Sequence, residues 1–429
     1  MNLESVFITG WIQRTLRCFL VACVLAVVRP FSPVSIAAAE IQAALQIKRT
    51  WHFAETGVHF SNEFSGARLN ECEQLSATEF LAVISPENTP INTSPWYAFK
   101  VWADGQRNIS IRFTNTYTGP RGRPWLSSDG NTWKRVPEAD YHRDDTLTNT
   151  AVVRLKIRKR PLWVASQEMI GLKELGEWTD QQSRLPFARS TVIGSSVEGR
   201  PIRQMVLTET TNANYVFVIG RQHPPEVTGS IALMSFVDTI GGNSRLANKF
   251  RRQFQTVVVP LVNPDGLEHG HWRSNLGAVD LNRDWKHFTQ PETAAVSASL
   301  IGYATAPGAC VFLFLDFHST RTNTFYQQPS AKPVFPANFL DRWLAAVQLR
   351  CPEFYFERDD AHDVDLGTSK SWASSRFGAP AITCEFGYGT DRNVVRRAGQ
   401  AEAEEMMRLL LSELENPSRP VAGAVGEGQ

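Results

Sequence analysis

Residues 214–226 read NYVFVIGRQHPPE. Tyr215 to Ile219 form a short, almost unbroken apolar run, rich in β-branched and aromatic residues, which suits a strand buried on both faces. Gly220 ends the run. The polar residues and paired prolines that follow predict a loop rather than a helix. The same pattern recurs as TVVVPLV (256–262), CVFLFLDF (310–317) and AITCEF (381–386). Between these runs the apolar residues change to helical spacing. Val227, Ile231, Met234 and Val237 form one stripe, closed by Gly241–Gly242, and Phe339, Leu340, Trp343, Leu344 and Val347 form another. A long helix is expected over 393–414. Strands alternating with helices predict an α/β domain over 163–416, with a mixed, mostly parallel sheet flanked by helices.

Upstream the period is two. Tyr97, Phe99 and Val101 share one face, as do Ile109, Ile111 and Phe113, and Val153, Leu155 and Ile157. Asp104–Gly105 and SDGN at 128–131 are turn signals between such runs. These features predict a small antiparallel β-sandwich over 40–162. Residues 1–39 carry Arg14 and Arg17, an apolar run from Cys18 to Val28, and Ala37–Ala39. That order is a secretory signal, and it predicts an exported chain, periplasmic or secreted, with no membrane span after cleavage. Residues 417–429 read as a disordered tail.

The chain has 429 residues, enough for two or three domains at roughly 150 each. Lys+Arg is 44 and Asp+Glu is 43, giving a net charge of +1. That balance argues against a nucleic-acid binder held by phosphate contacts. Cys72, Cys310, Cys351 and Cys384 remain beyond the N-terminal segment, and none has C-x-x-C spacing, so a zinc–cysteine site is not expected.

The polar residues of interest lie where the apolar runs end, which is where α/β sheets place ligand sites. His223 and Glu226 follow the first run, and His318 follows the third. Two imidazoles and one carboxylate make a three-ligand zinc set with a fourth position open. On His223 and Glu226 alone, a structural hydrogen-bonding pair is the simpler reading. The neighbouring segments favour the metal. Arg273, Asp280, Asn282 and Arg283 crowd the segment after the NPDG tetrad (263–266), and Glu385 ends the fourth run. Amide hydrolysis needs a base for the attacking water, and Glu385 suits this. It also needs a cation for the developing oxyanion, and Arg273 suits that. Arg283, helped by Asn282, can grip a terminal carboxylate bidentately.

Taken in order, H223-x-x-E226, NPDG, Trp272–Arg273, DLNRDW (280–285), PET (291–293), His318 and Glu385 resemble the zinc carboxypeptidases of the carboxypeptidase A superfamily. The resemblance covers about 194–414. It implies one zinc ion per chain on His223, Glu226 and His318, with Glu385 as general base and acid. It implies that Arg273 polarises the scissile carbonyl, that Asn282 and Arg283 hold the substrate's terminal carboxylate, and that Asp280 orients His223. The β-domain, VEGRPI (197–202) and DLNRDW look most like the cytosolic carboxypeptidase branch, which removes acidic residues. On the family's register Lys370 falls at the specificity position, where a lysine favours an acidic side chain; an exposed surface lysine is the alternative. Alternatives are an aspartoacylase- or desuccinylase-like amidase on N-acyl amino acids, a peptidoglycan stem-peptide carboxypeptidase, and a non-catalytic binder on the same fold. One departure stands out: the span 357–383 has no tyrosine to cap the substrate, which leaves Tyr326, Tyr388 or no residue at all in that role.

Overall fold

The computed structural model describes residues 42–88, 95–115, 122–143, 150–327, 334–360 and 366–415. The sequence readings on 1–39 and 417–429 lie outside them. Before the first α-helix come β1 (Thr50–Phe53), β2 (Val58–Ser61), β3 (Glu71–Gln74), β4 (Glu79–Ile84), β5 (Ala98–Ala103), β6 (Arg107–Asn115), β7 (Trp125–Ser127), β8 (Lys134–Arg135), β9 (Tyr141–Arg143), β10 (Thr150–Ile157) and β11 (Leu162–Ala165). They form two sheets, ordered β1-β2-β5-β11-β7-β8 and β3-β4-β6-β10-β9. The alternation sets the packing: Phe99 and Val101 of β5 and Ile111 and Phe113 of β6 are fully buried. Phe60 meets Phe80 at 5.4 Å and Phe99 meets Phe113 at 5.9 Å, which joins the two inner faces as in a sandwich. Among the described residues all pairs in these two sheets are antiparallel except β4–β6, which is parallel. Local alternation carries no sign of strand direction, so this pair was not legible.

The second region holds α1 (Leu172–Ser183), β12 (Ala188–Ser195), β13 (Pro201–Leu207), β14 (Asn214–Gly220), α2 (Val227–Ile240), α3 (Arg245–Arg251), β15 (Gln255–Val259), α4 (Pro264–His269), α5 (Pro291–Ala304), β16 (Cys310–His318), β17 (Thr324–Gln327), α6 (Phe339–Arg350), β18 (Glu357–Asp359), α7 (Ser369–Phe377), β19 (Ala381–Glu385) and α8 (Arg392–Glu415). The eight strands make one mixed sheet, β12-β13-β15-β14-β16-β19-β17-β18. Its centre, β15-β14-β16-β19, is parallel. Along β14, Val216 and Val218 enter one core with α2 and α8, while Tyr215, Phe217 and Ile219 enter another with α5. Burial on both faces is why these strands read as unbroken apolar runs rather than alternating ones.

NPDG is the start of a helix rather than a free turn: Asn263 caps α4, its side chain accepting from Gly266 N–H at 2.9 Å, with Pro264 at the first helical position. Arg251, a charged residue at a helix end, is 2% exposed. Its Nη1 donates to the carbonyls of Ile240 (2.6 Å) and Gly242 (2.8 Å), closing the end of α2. Its guanidinium also lies 3.8 Å from the Phe187 ring centroid. A charge pattern cannot reveal that orphan carbonyls wait nearby.

Candidate active site and metal centre

The loop after β14 is held by its own first residue. Arg221 adopts a left-handed φ of 56° and is buried. Its Nε donates to Pro224 O at 2.9 Å, and its Nη1 and Nη2 donate to Ser230 Oγ at 2.7 Å and Ile170 O at 3.0 Å. This staple turns His223 and Glu226 inward. From the next strand, His318 reaches the same point. Nδ1 of His223 lies 2.8 Å from Glu226 Oε1, Nδ1 of His318 lies 2.8 Å from Glu226 Oε2, and the two Nδ1 atoms are 3.2 Å apart. All three residues are buried, and their donor atoms gather closely enough to hold a metal ion.

The outer nitrogens fix the tautomers. His223 Nε2 donates to Asp280 Oδ1 at 2.9 Å, and His318 Nε2 donates to Asp316 Oδ2 at 2.8 Å. Both Nδ1 lone pairs are thereby directed inward beside a carboxylate. Acceptors this close repel one another unless a cation lies among them, so the donor set fits a metal. Burial opposes ionisation of Glu226, yet with no cation among the donors the imidazoles of His223 and His318, where protonated, hold its carboxyl well below the ordinary range. The same contest, won by His223 and Arg273, also holds Asp280 well below the ordinary range.

Asp316 was missed in the sequence. It stands two residues before His318, so the period of the strand places both on one face. Its Oδ2 also accepts from Gln222 Nε2 at 2.6 Å and from the Ser369 hydroxyl. Gln222 in turn accepts from Trp285 Nε1 at 2.8 Å. Ser369 N–H donates to Asn282 Oδ1 at 3.0 Å. These bonds seat the start of α7 against the histidine shell. Lys370 is the next residue and is 2% exposed, which removes the exposed-lysine alternative.

Arg273 is buried, and its Nε donates to Asp280 Oδ2 at 2.6 Å. One carboxylate therefore holds both a candidate metal ligand and the candidate oxyanion cation. Burial works against its charge, but Asp280, Glu226 and Glu385 together raise its pKa. Arg283 lies close enough to lower Asp280 further, and its Nη1 donates to Asn282 O at 2.9 Å. Glu385 ends β19 beside His318, its Oε2 buried and without a hydrogen-bond partner. Burial and the neighbouring Glu226 push its pKa up to about 7, while His318, His223 and Arg273 pull the other way. His269 and His271, potential rival ligands, are committed elsewhere: His269 to Glu198 at 2.8 Å and His271, fully buried, to Ser274 O at 3.1 Å.

The family described as zinc carboxypeptidase matches residues 177–327, which contain all three converging donors. Over that stretch the chain is similar to the zinc carboxypeptidase family. Cytosolic carboxypeptidase 6 of Caenorhabditis elegans is 23% identical over 296 residues, covering 62% of this chain and 63% of the relative. Cytosolic carboxypeptidase 6 of Homo sapiens is 27% identical over 288 residues, covering 61% and 57%. The chain thus spans less than two thirds of these relatives' length. A metallo-carboxypeptidase from Burkholderia cenocepacia shares the fold with TM-score 0.71 at 19% identity, covering 83% of this chain and 100% of that one. These relatives overturn the expectation of an exported carboxypeptidase, since both curated proteins are cytosolic. Among the described residues no helix is long and apolar enough to cross a membrane.

Proposed function

We propose that this chain is a zinc-dependent carboxypeptidase that hydrolyses the C-terminal peptide bond of peptides or proteins and favours an acidic terminal residue. The observation that carries this is the convergence of His223, Glu226 and His318 from two adjacent strand ends, with the unpartnered Glu385 oxygen beside them. Zinc bound there supplies a Lewis acid for the scissile carbonyl and makes a water more acidic. Glu385 takes the proton of the attacking water and returns it to the leaving amine. Arg273, fixed by Asp280, faces the negative charge that develops on the carbonyl oxygen. Asn282 and Arg283 bind the substrate's free carboxylate, which confines cleavage to the chain end. Lys370, buried beside Asn282's partner Ser369, pairs with an acidic side chain. The division into a β-sandwich domain over 40–162 and a catalytic domain over 163–416 belongs to the same proposal.

The test is a terminal-residue profile with zinc supplied, run beside N-acetyl-aspartate. Release of glutamate and aspartate from peptide ends, with N-acetyl-aspartate left intact, is the expected result. Cleavage of N-acetyl-aspartate in preference to peptides would replace this reading with the small-molecule amidase.

A further inference from the structure

Arg273 sits in a segment, residues 271–280, that belongs to no helix or strand. Its backbone N–H groups therefore have no ladder to satisfy them, and burial makes that need acute. The missing acceptor comes from the β region. Glu87, 1% exposed, accepts from Trp272 N–H at 2.7 Å, Arg273 N–H at 3.0 Å and Ser274 N–H at 2.8 Å. The Ser274 hydroxyl lies 2.7 Å from the same carboxylate and 2.8 Å from Asn88 Oδ1, so it donates to one or the other. Asn88 Nδ2 donates to Ala278 O at 3.2 Å.

Around this clamp the two regions meet closely. Arg68, fully buried, donates from Nε to Gly270 O at 2.6 Å and sets its Nη2 3.9 Å from Glu87. Gly270 has a φ of 63°, and a Cβ there would lie 2.7 Å from Ala67 O. The approach leaves no room for a side chain. The backbone on either side of Arg273 is thus set by groups from outside the catalytic sheet, while its side chain is set by Asp280.

We infer that Glu87 is a positioning residue: by collecting the three N–H groups of 272–274, the β region places the Arg273 guanidinium for the proposed hydrolysis. The inference rests on the role given to Arg273 above. It gives the β region a part in the chemistry without any contact with substrate.

A double-mutant cycle on the zinc-loaded full chain tests it, with kcat and KM measured on a glutamate-terminated peptide. Arg273→Ala should lower kcat. Glu87→Ala should lower kcat by about tenfold, with KM and zinc content little changed. Glu87→Gln keeps one acceptor oxygen and should recover part of that loss. In the Arg273→Ala background, either Glu87 substitution should cost less than about twofold. Equal losses with and without Arg273 would mean that Glu87 merely stabilises the fold, and would overturn the inference. If Glu87→Ala does not fold, Glu87→Gln carries the same cycle with the same two outcomes. Normal turnover by Arg273→Ala would overturn the role of Arg273 and this inference with it. Normal turnover by both Glu87 variants, beside a slow Arg273→Ala, would overturn this inference alone.

Discussion

His318 and Glu385 are register partners, side by side at the ends of the parallel strands β16 and β19. One offers a donor atom to the candidate metal, and the other holds an unpartnered carboxylate oxygen next to it. A hydrogen-bonded strand pair is a rigid mount, so the distance between ligand and base is set by the sheet rather than by loops. The family match ends at residue 327, before Glu385, so this register is the independent support for its role.

Glu385→Gln keeps the shape of the side chain but cannot take a proton. Turnover should fall by about 10²–10⁴-fold with zinc content unchanged. Steady-state rates and metal analysis on one preparation check both halves.

Asp316→Asn leaves the three donors in place but weakens the group that orients His318. Zinc affinity should drop by about 10–100-fold, measured by competition with a chromophoric chelator. Affinity equal to the parent would show that Gln222 and Ser369, not His318, are what Asp316 serves.

Lys370→Ile removes a buried lysine at the start of α7. The proposed preference for glutamate over leucine at the substrate terminus should collapse, by about tenfold or more in the ratio of kcat/KM. An unchanged ratio would assign acidic preference elsewhere.

Gly229 packs against the strand that ends in the candidate metal ligand His318. A Cβ there would sit 2.4 Å from His318 O and 2.7 Å from its carbonyl carbon, and backbone cannot give way cheaply. Gly229→Ala should cost about 2 kcal/mol or more in denaturant unfolding. It should also weaken metal binding.

Glu292 is buried and accepts from Asn275 Nδ2 at 3.0 Å. Burial raises its pKa from 4.5 to about 7. Between those values the folded chain holds a proton that the unfolded chain has released. Stability from this group is therefore full below the unfolded value and is lost as pH rises through about 7. Glu292→Gln should flatten that fall, gaining on the order of 2 kcal/mol over the parent at about pH 8 and little at about pH 5. Urea unfolding at both pH values reads the difference.

Most of the site was legible because each candidate follows an apolar run, and a run buried on both faces announces its own carboxyl end. His223, Glu226, His318 and Glu385 stand where that rule puts them. Asp316 carried a readable signal, two residues before His318 on the same strand, but the apolar run CVFLFLDF around it hides a single acid. Gln222 and Ser369 carried none, since only folding brings them to Asp316. Glu87 was illegible for the same reason: its bonds to 272–274 span more than 180 residues. Arg251 was illegible likewise, since a charged residue at a helix end resembles a solvated one until its acceptors, Ile240 O and Gly242 O, are seen.

Chelation and zinc replacement test the central claim most directly. The protein is stripped with a chelator, titrated with zinc, and assayed on a glutamate-terminated peptide, beside His318→Ala. Activity should vanish on stripping and return in full at one zinc per chain, while His318→Ala binds zinc weakly and stays inactive. Undiminished cleavage by the stripped chain, or by His318→Ala, would contradict the account.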